Sequence, residues 1–255
     1  LCIAAIMSNP LTHEQIILFG ANAAPILSQP VFGKKANMMW MLSNLGLPIP
    51  AGLALGPTIC RQLGEKTQHD LPEPLTEALQ WLETATGKQL CGTSNPLFLA
   101  MRTSAAIAVP GTGDAVLNIG LNDETVEVLA HESADARFAY DSYCRFIQNF
   151  AQVVMGDDPT AFEDVLALYM EERGYVSDAE LQGSDMREIA NRFKAQFESN
   201  NGEVFPQDIA HQIKASCAAL LRAWQAPRAR GPQRWKDKWR AASRHFAPQR
   251  RRSLR

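Results

Sequence analysis

Several sequence features are absent from this chain, and each absence excludes a class of protein. No apolar run in its 255 residues approaches the roughly 20 residues that a membrane helix needs, so we expect no membrane segment. Its five cysteines are widely separated and form no Cys-x-x-Cys pair. That spacing excludes a disulfide framework and the usual zinc ribbons, and it indicates a reducing, cytoplasmic location. The chain also lacks a Walker phosphate-binding motif and any internal repeat.

Charge is distributed unevenly. Residues 1–227 carry a net charge of −12, whereas residues 228–255 carry 11 Lys/Arg against one acid and a net charge of +10. We favour the interpretation that this basic tail is frame-shifted or disordered sequence. The alternative is a nucleic-acid-binding arm, since Trp235 and Trp239 alternate with basic residues. At the other end, Met7 has the context of a start, so residues 1–6 are interpreted as upstream read-through.

Hydrophobic periodicity divides the remainder into two parts. Short apolar runs at 16–19, 53–55 and 97–101 predict strands, with a buried helix around 38–42 and an amphipathic helix over 73–87. From Asn122 to about Trp224 the apolar period is helical. Thr160-x-x-Glu163 and Ser177-x-x-Glu180 fit capping boxes, and Pro206 marks the start of the last helix. The fold class is therefore α/β (α+β): an α/β part over 7–121, a helical part over 122–204 and a return helix over 205–227.

Three places offer residues for phosphate chemistry. The glycine turn before the first helix presents Lys34, whose alternative role is that of a solvated surface lysine. Arg102 ends an apolar strand, where arginine binds phosphate well or forms a structural ion pair. The loop ending in Gly111, Gly113 and Asp114 either approaches a nucleotide or forms an ordinary tight turn.

Several lone residues carry less weight. His131 and His211 have no ligand-spaced partner, so we expect them to be surface or packing residues. Cys144 lies within a predicted helix, where burial is the default. The aromatic residues around 138–150 are interpreted as core residues in preference to a cofactor site. No metal ligand is assigned.

Seven longer strings occur in a fixed order along the chain. They are Phe32-Gly-Lys-Lys-Ala-Asn37, Asn44-Leu-Gly-Leu-Pro-Ile-Pro-Ala-Gly52, Asn95-Pro-Leu-Phe-Leu-Ala-Met-Arg102, Val116-Leu-Asn-Ile-Gly-Leu-Asn-Asp-Glu-Thr-Val126, Arg137-Phe-Ala-Tyr-Asp-Ser-Tyr-Cys-Arg-Phe-Ile-Gln148, Phe205-Pro-Gln-Asp208 and Ala223-Trp-Gln-Ala-Pro-Arg-Ala229. In this order and spacing they resemble the opening of pyruvate, phosphate dikinase over about residues 16–229.

The resemblance implies part of an ATP-grasp nucleotide-binding domain with an all-helical subdomain. In that family ATP and Mg²⁺ are used to interconvert pyruvate and phosphoenolpyruvate through a phosphohistidine, releasing AMP and pyrophosphate, in an enzyme expected to be a homodimer. By the same resemblance Lys34 and Arg102 contact ATP phosphates, Arg102 with a catalytic role, and Gly111, Gly113 and Asp114 line the nucleotide cleft.

This sequence departs from the family at the cleft. The family's Gly-Gly-Lys-Gly is Phe32-Gly-Lys-Lys35 here, its Arg-Ser-Gly-Ala is Arg102-Thr-Ser-Ala105, and its Met-Pro-Gly-Met-Met-Asp-Thr is Val109-Pro-Gly-Thr-Gly-Asp-Ala115. The magnesium-binding acids, the phosphohistidine domain and the pyruvate domain have no counterpart in the sequence. We therefore expect the chain alone to be inactive. The alternative is a free-standing module that binds a nucleotide or a partner without catalysis.

Overall fold

The architecture comes from a computed structural model, which describes residues 3–5, 16–20, 34–64, 70–103 and 115–225. The strands are β1 (Ile3–Ala5), β2 (Ile16–Phe19), β3 (Gly52–Leu55), β4 (Leu99–Thr103) and β5 (Ala115–Ile119). The helices are α1 (Lys34–Asn44), α2 (Pro57–Gly64), α3 (Glu73–Thr86), α4 (Thr125–Ser133), α5 (Ala136–Phe150), α6 (Thr160–Arg173), α7 (Gly183–Asn201) and α8 (Ile209–Gln225). A π-helical turn (Ala151–Met155) extends α5, and a 3₁₀ turn (Asp178–Glu180) precedes α7.

The five strands form one mixed sheet in the order β2-β3-β1-β4-β5. β1 pairs in parallel with β3 and β4, and the outer strands β2 and β5 run antiparallel to their neighbours. The predicted combination of a sheet with many helices, α+β, is confirmed. The central strand β1 consists of residues from the 1–6 segment, whose origin as read-through stays a prediction, as do the domain boundaries.

Helix α3 shows how closely pattern and structure agree in this part of the chain. Leu75, Leu79 and Leu82 are buried along one face, as their spacing predicts. The helix ends where Gly87 adopts the left-handed conformation, with φ of 65°, and donates its N–H to the Glu83 carbonyl. Both the apolar face and the end of this helix are thus encoded locally.

Helix α1 corrects one expectation. It forms where predicted, but it is not a buried helix, since Met38 and Met41 are each 48% exposed. Ala36 is buried and packs with Ile17 and Phe19 of β2. Only one side of α1 therefore rests on the sheet, and hydrophobicity alone did not show that its opposite side faces outward.

Helix starts were predicted with mixed success. The Ser177–Glu180 capping box forms as predicted. The capping box predicted at Thr160 was wrong. The Asp158 carboxylate accepts the hydrogen bond from the Thr160 N–H and so caps the start of α6 in place of the Thr160 side chain. The last helix begins three residues after Pro206, since the Asp208 carboxylate accepts from the His211 N–H and caps the first turn.

All the described helices except α1 share one hydrophobic core with one face of the sheet. Its sheet side includes Leu53, Leu55 and Met101, and α8 packs across it against α2, β4 and β5. Phe205, in the segment before α8, contacts four rings edge-on, with centroids 5.3–6.1 Å away: Tyr143, Phe146, Phe150 and Phe197. These residues and Tyr140 are core residues, which confirms the interpretation made from the sequence for the 140–150 aromatics. That interpretation was wrong for Phe138, which is 51% exposed at the start of α5.

A buried carboxylate links α6 to α7. Asp185 is 5% exposed and accepts hydrogen bonds from the Gln182 N–H (2.8 Å), the Tyr169 hydroxyl (2.9 Å) and the Tyr175 hydroxyl (3.2 Å). These hydrogen bonds lower the pKa of Asp185 below its usual value, and the bond from the Gln182 backbone N–H has the largest effect. Burial acts in the opposite direction but is outweighed. The ionised form is therefore the one that the fold stabilises.

This arrangement predicts acid sensitivity. The pKa of Asp185 is lower in the folded chain than in the unfolded chain. As the pH falls below the usual carboxylate pKa, the unfolded chain therefore binds more protons than the folded chain, and the free energy of unfolding decreases. Asp185→Asn should lower the free energy of unfolding at pH 7 by about 1–3 kcal/mol and flatten its decline between about pH 5 and pH 3. Urea unfolding across that range measures both effects. Asp164→Asn, at an exposed position of α6, is the control and should leave the pH profile unchanged.

Candidate functional site

The two faces of the sheet are covered differently. One face carries Leu53 and Leu55 into the main core. The other, which we call the α1 face, is defined by Ile17, Phe19 and Ala54 together with Ala36 of the helix above them. On the α1 face, α1 packs against β2. Residues that bind one phosphate group together must lie on the same face of the sheet.

Strand register assigns Arg102 to the α1 face. Ala4 of β1 is the register partner of both Ala54 and Arg102. Residues paired across neighbouring strands project from the same side of a sheet, so the Arg102 side chain emerges on the same side as Ala54. Its neighbour Met101 is fully buried in the opposite face, as the alternation of a strand requires. The side chain is partly exposed, and its Nε atom is shielded from solvent.

Lys34 is the first residue of α1, which lies on that same face. The first turn of α1 contains no acidic residue, so nothing there neutralises the partial positive charge of the helix N-terminus. A helix start of this kind favours an anion. The structure therefore places the start of α1 and Arg102 on one face of the sheet, and their phosphate-binding roles stay predictions.

Gly111, Gly113 and Asp114 lie outside the described residues. The strands on either side of them are described: β4 ends at Thr103, and β5 begins at Ala115. Ala115 is the register partner of Arg102. Asp114 is thus bonded directly to the residue that pairs with the candidate arginine, which the sequence alone did not reveal.

The remaining titratable candidates do not assemble into a further site. Across the described ranges, no three His, Cys, Asp or Glu side chains come together as a group that could hold a metal ion. These residues therefore do not fit a Mg²⁺ site. His131 and His211 are exposed, and Cys144 is buried, which raises the pKa of its thiol. The surface and core roles expected for these three residues are confirmed.

One group of residues near the strand end was missed from the sequence. The Gln212 side chain is fully buried, accepts from the Gly120 N–H (2.8 Å) and donates to the carbonyls of Leu121 (3.0 Å) and Pro206 (2.8 Å). The Thr125 hydroxyl donates to the Gly120 carbonyl at 2.7 Å. These bonds fix the end of β5, next to the strand that carries Arg102. A glutamine within an amphipathic helix gives no signal of such a role, because two of its three backbone partners, Gly120 and Leu121, lie 92 and 91 residues away.

The known proteins to which this chain is similar are kinases by name. The relatives are named pyruvate, phosphate dikinase, and the resemblance predicted from the sequence is confirmed for a partial N-terminal region. The chain is 38% identical over 201 residues to the dikinase of Clostridium symbiosum and 40% identical over 200 residues to that of Rhizobium meliloti. It is 37% identical over 225 residues to the chloroplastic pyruvate, phosphate dikinase 1 of Zea mays.

The similarity covers most of the chain but little of each relative. The alignments include 77% of the chain and 23% and 22% of the two bacterial enzymes, and 86% of the chain and 24% of the maize enzyme. The chain thus spans less than a quarter of the length of these relatives. No family model matches it. Among the helices that the structure describes, none combines the length and the apolarity needed to cross a lipid bilayer.

Proposed function

We propose that this chain is the first part of the ATP-grasp nucleotide-binding domain of a pyruvate, phosphate dikinase, and that it contributes half of the ATP-binding site. The observation that carries the proposal is the presence of Arg102 and the start of α1 on one face of the sheet, in a chain about 38% identical to dikinases. Positive charge on that face suits an ATP polyphosphate, since phosphoryl transfer depends on positioning and charge stabilisation.

Each predicted residue has a specific role in this proposal. Lys34 at the start of α1 binds phosphate oxygens, and Arg102 binds a phosphate from β4. Gly111 and Gly113 allow the backbone to approach the nucleotide, and Asp114 belongs to the same nucleotide-binding loop. Lys35 replaces a family glycine next to Lys34, so we expect weaker ATP binding than in the family.

In the parent enzyme, we propose, the bound ATP yields its β-phosphoryl group to a histidine of another domain, and that histidine passes it to pyruvate. The fold described above, with its sheet and helical part, would serve to bind and orient ATP. It supplies neither that histidine nor, in its described residues, a metal site. The chain alone is therefore proposed to bind the nucleotide without completing the reaction. Homodimer formation and a cytoplasmic location belong to the same proposal.

Titration calorimetry with Mg-ATP tests the binding role. Arg102→Ala and Lys34→Ala should each weaken binding by about 10- to 100-fold, because each removes a charge-assisted contact to phosphate. Arg61→Ala is the matched control: Arg61 is an exposed arginine of α2, a helix that packs on the opposite face of the sheet. Equal losses in all three variants would contradict a localised site.

A coupled assay separates binding from catalysis. With phosphoenolpyruvate, AMP and pyrophosphate supplied, the chain alone should release no pyruvate above background. Pyruvate formation would overturn the proposal that the chain is inactive by itself. ATP binding without turnover, unaffected by Arg61→Ala, is the expected combination, and it would also fit the alternative of a free-standing nucleotide-binding module.

A further inference from the structure

Two buried cysteines from distant parts of the chain meet between α2 and α8. Cys60 and Cys217 are separated by 157 residues, and each is 1% exposed. The Cys217 thiol donates to the Cys60 carbonyl with a sulfur–oxygen distance of 3.9 Å, and the Cys60 thiol donates to the Leu55 carbonyl at 3.8 Å. Both thiols are free. Neither residue belongs to the proposed nucleotide site, which lies on the opposite face of the sheet.

We propose that Cys60 and Cys217 form a reversible disulfide that fastens α2 to α8 when the protein meets an oxidising low-molecular-weight disulfide. The Cys217 sulfur lies 3.9 Å from the carbonyl oxygen of Cys60, and the neighbouring Cys60 thiol, followed by burial, raises the pKa of Cys217. The pair therefore stays buried and inaccessible to the oxidant while the two helices are packed together. Local separation of α2 from α8 exposes it.

The chemistry is ordinary thiol–disulfide exchange. One cysteine thiolate attacks oxidised glutathione, a mixed disulfide forms, and one glutathione thiol leaves. The second cysteine then attacks the protein sulfur of that mixed disulfide and releases the second glutathione thiol. The two cysteines together lose two protons and two electrons, which reduce one oxidised glutathione to two reduced molecules. A reducing thiol reverses both steps.

The position of the pair gives the bond a definite consequence. α2 directly follows β3, and α8 packs on α2, β4 and β5. A bond between Cys60 and Cys217 therefore holds the C-terminal helix to the sheet. Because the loop that it closes contains more than 150 residues, it restricts the unfolded chain strongly. The oxidised protein should have an unfolding temperature about 5–15 °C above that of the reduced protein.

The test uses the full chain with Cys2→Ser and Cys91→Ser, which leaves Cys60, Cys144 and Cys217. The protein is incubated with oxidised glutathione at increasing urea concentrations below the unfolding transition, then digested and analysed by mass spectrometry. A linked Cys60–Cys217 peptide should form, faster as urea rises, and dithiothreitol should remove it together with the gain in unfolding temperature. Circular dichroism confirms that each variant is folded.

Matched variants identify the pair. Cys217→Ala and Cys60→Ala should each abolish the link, whereas Cys144→Ser, which removes a buried thiol elsewhere in the core, should leave it intact. If no Cys60–Cys217 peptide forms at any urea concentration below the transition, the proposal is overturned. It is likewise overturned if Cys144 forms mixed links as readily as Cys60 and Cys217.

Discussion

Phe205→Ala should lower the free energy of unfolding by about 3–5 kcal/mol, as expected for removal of a large ring from a core that cannot collapse around the space. Phe205 is 2% exposed, and its ring stands edge-on to Tyr143 and to three phenylalanines of α5 and α7. It therefore joins the helical part of the chain to the segment that leads into α8. Equilibrium unfolding in urea measures the loss.

Phe138→Ala provides the comparison, because the same substitution is made on a side chain that is 51% exposed at the start of α5. It should change the free energy of unfolding by less than about 1 kcal/mol. Phe205→Leu should recover part of the loss by refilling some of the volume. Similar losses for Phe138→Ala and Phe205→Ala would show that the edge-on cluster does not hold these helices together.

Gln212→Met has the second large expected effect, a loss of about 3–5 kcal/mol. Methionine is similar in length but neither donates nor accepts in the way the amide does, so three buried backbone groups lose their partners, each at about 1–3 kcal/mol. Those groups are the Gly120 N–H and the carbonyls of Leu121 and Pro206. Gly120 is also held at φ of 109°, a conformation that suits glycine.

Gln80→Met on the exposed side of α3 is the control and should stay within about 0.5 kcal/mol of the parent chain. Gln212→Met should also weaken ATP binding in the proposed site, since β5 pairs with the strand that carries Arg102. A small loss of stability for Gln212→Met would mean that the end of β5 is fixed by other contacts. Urea unfolding of both variants decides between these outcomes.

Much of the fold followed from local pattern. Strands at 16–19 and 53–55, the helix over 73–86 with its glycine end, and the helical character beyond residue 122 all agree with apolar spacing. Errors occurred where local signals competed. Asp158, rather than Thr160, accepts the hydrogen bond at the start of α6, and Asp208, rather than Pro206, caps α8. Which side chain caps a helix depends on local backbone geometry, and a four-residue sequence motif does not contain that information.

The candidate site divides in the same way. The identity of Lys34 and Arg102 as phosphate-binding candidates came from residue type and from the resemblance to dikinases, which relatives 37–40% identical confirm as a family likeness. Their placement on one face of the sheet could not be predicted from the sequence, because it depends on β1 pairing with both β3 and β4. Register across three strands is a long-range property, and shifting it by one residue would move Arg102 to the other face.

The sequence by itself determined strands β2, β3 and β4, helices α1 and α3, the helical character beyond residue 122 and the family that the chain resembles, because these depend on spacing along a few turns or on contiguous strings. Strands β1 and β5 and helix α2 were not predicted. Only the tertiary structure decided what meets across long separations: Gln212 with Gly120, Cys217 with Cys60, and Phe205 with the aromatic rings of α5 and α7. Those contacts join backbone groups, thiols and rings that lie far apart in the chain. No local propensity encodes them, since each arises from how the helices pack over the sheet and against one another.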